Sequence, residues 1–252
     1  MTRDWDAATY DRVASPQAEW AEGVLDRLEL RGDETVLDAG CGSGRVTAML
    51  LERLPHGRVI AVDLAPSMVD KARASLPADR VDVLPPTDLV DLELNGEVDA
   101  VFSNAVFHWV LDHDALFGRL HAALRPGGRL IAQCGGAGNI AAFHRVAKEA
   151  AAEPPFAAHL DGWAGPWNFQ PPEATEGRLR RAGFEQVACW LSDASVTPPE
   201  PLAFIRTVCL GYHLLELPED LRDAYVATVA ERAGEPLALD YVRLNIDARR
   251  SH

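Results

Sequence analysis

The sequence predicts an α/β fold: a doubly wound, mostly parallel, seven-stranded sheet with a small helical cap inserted in its C-terminal half. Three observations carry that expectation. Short, continuously apolar segments alternate with helical segments through the first half of the chain, the pattern of a parallel sheet covered on both faces. Pro and Gly stand where those helices begin and end. With 252 residues, 48% of them hydrophobic and 25% charged, the chain can bury roughly 70–75% of its unfolded surface and needs no disulfide or metal to hold together.

Trp20, Val24, Leu25 and Leu28 recur at helical spacing over residues 15–30, so a helix precedes the first strand. Thr35-Val36-Leu37-Asp38 is that strand, and it runs into Ala39-Gly40-Cys41-Gly42-Ser43-Gly44. A helix over 45–54 stops at Pro55-His56-Gly57, and residues 58–63 form a second buried strand. Pro66 opens a helix that Pro77 ends; Val81 and Val83 mark a third strand and 98–104 a fourth. The helix over 114–124 stops at Arg125-Pro126-Gly127-Gly128, and 129–134 is the fifth strand. After residue 138 the rhythm changes. A helix spans 139–152, and residues 153–172 gather prolines, glycines, Trp163, Trp167 and Phe169 into a loop long enough to act as a lid or binding loop. A helix over 173–182, a strand over 184–191 and a helical cap over about 198–233 follow. In the last segment, 237–249, Val242, Leu244, Ile246 and Ala248 alternate with Tyr241, Arg243, Asn245 and Asp247, which predicts a half-exposed antiparallel strand with Arg243 facing solvent. The whole reads as one domain: a helical lid over 1–32, a ligand-binding core over 33–138 and a C-terminal half over 139–252.

Composition narrows the function. Twenty-four basic residues against 38 acidic give a net charge of −14, a surface that repels phosphate backbones and anionic membranes, so neither nucleic acid nor membrane is the expected partner. The cysteines at 41, 134, 189 and 209 form no CxxC pair, and the eight histidines show no metal spacing, so no metal is expected. The acidic start lacks an apolar leader and no apolar run reaches 18 residues; a reduced, cytoplasmic protein is the expectation.

The chemistry concentrates at Asp38-Ala39-Gly40-Cys41-Gly42-Ser43-Gly44, between a strand and a helix. Glycines allow a tight turn and let a ligand lie against bare backbone N–H groups, at the carboxyl end of a strand where open α/β sheets bind ligands. Asp63 closes the next strand, placed to accept hydrogen bonds from ribose hydroxyls or to cap the helix at Pro66. Asp88 follows the third strand, placed to receive a purine amine or to hold a turn. The spacing G-x-G-x-G differs from the dinucleotide fingerprint G-x-G-x-x-G. An acid beside it would repel pyrophosphate but suits an ammonium and a neighbouring sulfonium, the combination found in S-adenosylmethionine.

These residues, with Leu124-Arg125-Pro126-Gly127-Gly128-Arg129-Leu130, resemble a class I S-adenosylmethionine-dependent methyltransferase. Trp5, Tyr10, the segment Phe102-Ser103-Asn104-Ala105-Val106-Phe107-His108-Trp109-Val110, Gly135 to Ile140 and Asp240 to Leu244 are similar to the trans-aconitate methyltransferase-like group. The resemblance implies that Asp38, Gly40, Cys41 and Gly42 serve the methionine moiety, with Asn104 near it. It implies that Asp63 binds ribose, that Leu64 and Leu89 flank adenine, and that Asp88 meets its amine. It also implies that Tyr10, Gln17 and Trp20 close over the cofactor from the N-terminal helix. Cys41 reads as a small turn residue rather than a nucleophile.

For the acceptor, Phe107, His108, Trp109, Trp163 and Trp167 are candidate pocket walls, and Arg206 in the apolar Phe204-Ile205-Arg206-Thr207-Val208 is a candidate carboxylate ligand, or else pairs with Glu200 or Glu216. The expected reaction is methylation of a small molecule, on a carboxylate oxygen that needs no base. Hydroxyl or carbon methylation, with His108 as base, is the alternative. A nicotinamide-dependent oxidoreductase is disfavoured by the glycine spacing. A module that binds S-adenosylmethionine without transferring its methyl group is a further alternative.

Overall fold

A computed structural model describes the chain from residue 15 onward, and its side chains from Trp20 onward. Helix α1, Ser15–Asp26, leads to strand β1, Thr35–Ala39. There follow α2, Arg45–Glu52, β2, Arg58–Val62, α3, Pro66–Ser75, and β3, Val81–Val83. Strand β4 is Val98–Asn104, α4 is His113–Ala123 and β5 is Leu124–Gly135. The C-terminal half contains α5, Ala141–Ala151, α6, Ala157–Leu160, α7, Pro172–Arg181, and β6, Phe184–Val196. It ends with α8, Pro201–Phe204, α9, Gly211–Glu216, α10, Glu219–Ala233, and β7, Leu239–Arg250.

The seven strands form one sheet in the order β3-β2-β1-β4-β5-β7-β6. Pairing is parallel from β3 to β5 and antiparallel around β7. Side chains alternate across it. Val36 faces a cluster with Val24 and Leu25 of α1, Leu28 just beyond it and Leu50 of α2, while Leu37 faces Phe107, Phe117 and Leu120 on the other side. A third cluster, with Phe143, Phe156, Phe204, Tyr225 and Tyr241, is the core of the C-terminal half. Connections reverse direction between β1 and β4, and the carboxyl ends of strands at such a switch point are where open α/β sheets bind ligands.

Three expectations change. The Arg125-Pro126-Gly127-Gly128 turn does not precede the fifth strand but lies within β5, as an irregularity between the Val98–Leu124 and Ala100–Arg129 pairs. The loop over 153–172 is not structureless: it contains α6, and Gln170 bridges to Gly136. Strand β7 is not half-exposed. It lies between β5 and β6 with both faces covered, so Arg243 is only 3% exposed and Asn245 5%. Among the described residues no helix is long and apolar enough to cross a membrane.

The cap is tied to the body by a buried hydroxyl: Tyr225 on α10 donates to the Ala147 carbonyl of α5 at 2.9 Å. Replacing Tyr225 with Phe removes that bond and no carbon packing. It is expected to cost about 1 kcal/mol, read as a lower urea midpoint at unchanged slope. An unchanged midpoint would show that the rings alone hold the cap.

Candidate functional site

A crevice of about 470 Å³ opens over the tips of β1, β2, β3 and β4, within the usual range for small-ligand sites. Gly40 and Gly42 line it from the β1 turn, Asp63 and Leu64 from β2, Thr87, Asp88 and Leu89 from beyond β3, and Asn104 to Val106 from β4. The glycine turn is held by β2: the N–H groups of Gly40 and Cys41 both donate to the Val62 carbonyl, at 2.8 and 2.9 Å. Gly44 N–H donates to Cys41 O, and Gly42 N–H to Asp63 Oδ2 at 2.9 Å. The turn therefore offers room rather than free donors, against the sequence expectation. That room is needed at Gly40, where φ is 91° and a Cβ would stand 2.2 Å from Val106 Cγ2.

Asp63 holds the start of α3 and stands on the wall of the crevice. Its Oδ1 accepts from Ala65 N–H at 2.9 Å at the start of α3, and its carboxylate lines the crevice. Asp88 likewise lines the crevice and caps a helical turn by accepting from Val90 N–H at 3.2 Å. Asp38 lies below the surface, 1% exposed, accepting from Thr47 Oγ1 at 2.7 Å. Burial, opposed by that bond and reinforced by the Asp63 charge, pushes its carboxyl up to about 7. Cys41 is buried under the turn and lines no cavity wall of the crevice; burial pushes its thiol up, which keeps it protonated and unreactive.

A chamber of about 50 Å³ adjoins the crevice, sharing Ala105 and Trp109 with it. Its other walls include His108, Phe169, Tyr241 and Arg243. Alternation along the strand predicts a solvent-facing Arg243; in the structure its Nε donates to Gln133 Oε1 at 3.3 Å and its guanidinium lies 4.5 Å above the Trp20 ring. No strand-period rule exposes a residue once sheet and helix cover both faces. Trp20 in turn meets Tyr241 edge-on at 5.1 Å, so it faces the chamber wall and not the cofactor crevice. Tyr10 and Gln17 lie outside the residues whose side chains are described.

His108 is buried, and Gly135 N–H donates to its Nδ1 at 3.2 Å. The neutral ring therefore carries its proton on Nε2. Burial, with the Arg243 charge nearby, holds the imidazole well below its ordinary range. Such a ring donates a hydrogen bond and has no free lone pair to take a proton, which counts against the alternative in which His108 is a base.

Phe107 is not a pocket wall: it is fully buried against Phe117 at 6.0 Å. Arg206 is half exposed on the cap and pairs with Asp223 Oδ1 at 2.5 Å, neither with Glu200 nor Glu216, and it lies outside the chamber walls. Trp109 borders both cavities, and Trp163 and Trp167 line a third one, of about 410 Å³, beyond the chamber. Tyr212, missed in the sequence, joins the crevice wall by stacking at 5.1 Å on Trp109; no local motif marks it, because the cap brings it there from 100 residues away.

The geometry is that of a class I methyltransferase, and comparison with known proteins agrees. A family model described as a methyltransferase domain matches residues 37–130. A trans-aconitate 2-methyltransferase from an Azoarcus species is 34% identical over 88% of this chain and 87% of its own length. One from Methylobacterium nodulans is 34% identical over 77% of this chain and 69% of its own. The Haemonchus contortus phosphoethanolamine N-methyltransferase 2, solved with phosphomonomethylethanolamine and S-adenosylhomocysteine, shares the fold with a TM-score of 0.58 at 19% identity, over 93% of this chain and 53% of that one. The chain belongs to the trans-aconitate 2-methyltransferase-like family of S-adenosylmethionine-dependent methyltransferases. It is an enzyme whose cofactor is S-adenosylmethionine and whose substrate is a small molecule.

The crevice fits that cofactor: bare Cα atoms at the β1 turn, a carboxylate beside them at Asp63, and apolar walls at Leu64, Met68 and Leu89. Gly40→Ala would push Val106 into this space. Calorimetric titration with S-adenosylhomocysteine is expected to show at least about tenfold weaker binding, 1.4 kcal/mol, in a protein with unchanged circular dichroism. Wild-type affinity would remove the cofactor from this crevice.

Asp38 generates a second expectation. Its folded-state value near 7 lies above the unfolded value of about 3.9, so the native state binds the extra proton. Its contribution is full below about pH 4 and is lost as pH rises through 7. Urea unfolding of Asp38→Asn should lack that decline relative to wild type; parallel pH profiles would refute the buried protonation.

Proposed function

We propose that the protein methylates a carboxylate oxygen of a small organic acid bound between Trp109 and Arg243. The observation that carries this reading is Arg243, a buried cation lining a chamber that shares its walls with the cofactor crevice. A planar guanidinium matches a carboxylate in shape and charge, and a chamber of about 50 Å³ has room for a group the size of a few waters. The names of the two trans-aconitate relatives, which denote a carboxylic acid, support the same class.

When bound, S-adenosylmethionine supplies a methyl group on a sulfonium, and its transfer to a carboxylate leaves two neutral products with no proton to move. The chain's own residues have correspondingly little acid–base work. Arg243 binds and orients the acceptor carboxylate, and Trp20 and Gln133 hold Arg243 from behind. His108, its Nδ1 engaged by Gly135, can donate from Nε2 to an acceptor oxygen. Trp109, Val106 and Tyr212 exclude water from the passage between crevice and chamber, so that proximity provides most of the acceleration. A hydroxyl acceptor would need a base, and the neutral, Nε2-protonated His108 is a poor one.

Arg243→Gln is therefore expected to raise KM for a carboxylate acceptor at least about tenfold, the cost of a lost charged hydrogen bond, with S-adenosylhomocysteine affinity unchanged. The log(kcat) profile of the wild type should be flat between pH 6 and 8. Preferred turnover of neutral phenols, with a limb in that range abolished by His108→Gln, would overturn the proposal.

A further inference from the structure

The cavity beyond the chamber has no counterpart in the cofactor crevice, and its walls differ in kind. About 410 Å³ in volume, it is bounded by Trp163, Trp167, Phe169, His144 and His213, with Lys148 and Asp161 at its border. Asn139, His144, Trp167 and Phe169 also line the Arg243 chamber, so the two spaces adjoin along these shared residues. A chain of aromatic contacts runs from one space to the other: Trp109 to Trp167 at 6.3 Å, and Trp167 to Trp163 at 5.5 Å. His144 stands edge-on to Trp167 at 4.7 Å and His213 edge-on to Trp163 at 4.7 Å.

Two features of this cavity ask for a ligand. The His144 Nε2 and His213 Nδ1 atoms are buried with no hydrogen-bond partner among the described residues, a cost that native proteins incur sparingly. Burial keeps both rings neutral, His144 down to about 4 and His213 down to about 3, so each offers a neutral nitrogen rather than a charge. The Trp167 ring is also held in place deliberately. Gly165 has φ of 74°, and a Cβ there would stand 1.9 Å from the Trp167 ring, so only glycine lets Trp167 fold back against the loop. Asn168 fastens the same loop to the body, its N–H donating to His108 O at 2.8 Å and its side chain to Val110 O and Leu111 O at 3.0 Å each.

We propose that this second cavity receives the body of the acceptor, and that the acceptor is an arene-bearing monocarboxylic acid with a hydroxyl or similar polar substituent on its ring. The proposal rests on the carboxylate reading above. The carboxylate lies at Arg243, the arene packs edge-to-face among Trp163, Trp167 and Phe169, and its polar substituent meets the two histidine nitrogens. Charge decides against a polycarboxylate here. Lys148 is the one cation among the described residues lining the outer cavity, and Asp161 stands at the same border. Further carboxylates would therefore be buried among rings with only Lys148, itself beside Asp161, to offset them.

The test compares cinnamate, 4-hydroxycinnamate, hexanoate and trans-aconitate as acceptors, with products identified by mass spectrometry and binding measured by calorimetry in the presence of S-adenosylhomocysteine. The 4-hydroxycinnamate methyl ester is expected as the best product. Trp163→Ala should lower the preference for 4-hydroxycinnamate over hexanoate, in kcat/KM, at least tenfold. His213→Phe, which keeps the ring, should abolish the preference for 4-hydroxycinnamate over cinnamate. If trans-aconitate or hexanoate is methylated on its carboxylate better than either arene acid, this inference falls and the carboxylate reading stands. If 4-hydroxycinnamate binds in a Trp163-dependent manner but is methylated on its phenol, the cavity assignment stands and the carboxylate reading falls. Binding of 4-hydroxycinnamate with equal affinity to wild type, Trp163→Ala and His213→Phe would overturn the cavity assignment directly.

Discussion

The carbonyl of Val62 accepts two backbone N–H groups, those of Gly40 and Cys41, and the next residue's carboxylate accepts a third, from Gly42. Much of the site depends on that clamp between β2 and the turn after β1. It uses up the donors of the glycine turn, so the turn cannot serve as an anion nest of the kind that holds pyrophosphate. What remains is a floor of bare Cα atoms beside an acid, shaped for a ligand with cationic groups. Gly40 is the residue that the clamp leaves no choice about, since Val106 from β4 closes down on it.

The position of β7 has an equally large effect on the acceptor side. Inserted antiparallel between β5 and β6, it brings Arg243 beneath Trp20 of the N-terminal helix and beside His108 from β4's exit. Segments more than 100 residues apart thus meet around one guanidinium. Its charge helps to keep His108 neutral, and the Gly135 N–H fixes which nitrogen of that ring carries the proton. The same arrangement that offers a cation to a carboxylate also withdraws the nearest base, and both effects support the proposed acceptor, one that arrives already ionised.

Buried titratable groups recur through the molecule with one outcome. Asp38, Cys41, His108, His144 and His213 all have their ordinary values moved towards the neutral form, with desolvation as the leading cause. The interior around the two cavities is therefore poor in charge, and Arg243 stands out within it. This is an environment suited to strengthening one electrostatic contact and to keeping water away from a sulfonium.

Local pattern determined much of this protein. The strand–helix alternation, the glycine turn after Val36 and Leu37, the acids at 63 and 88, and the aromatic loop are each written in consecutive residues, because backbone conformation and the burial of a single strand are local properties. Cofactor identity followed from the same short segments. Tertiary structure decided what depends on partners distant in the chain. Phe107 turned into the core rather than the pocket because α4 supplies Phe117. Arg206 found Asp223 on α10, whereas Arg243, which alternation alone would leave in solvent, is buried because helix and cap cover both faces of β7. Alternation reports which residues share a face; only the assembled layers determine whether that face meets water, and for Arg243 that difference separates a surface charge from a candidate anchor of the substrate.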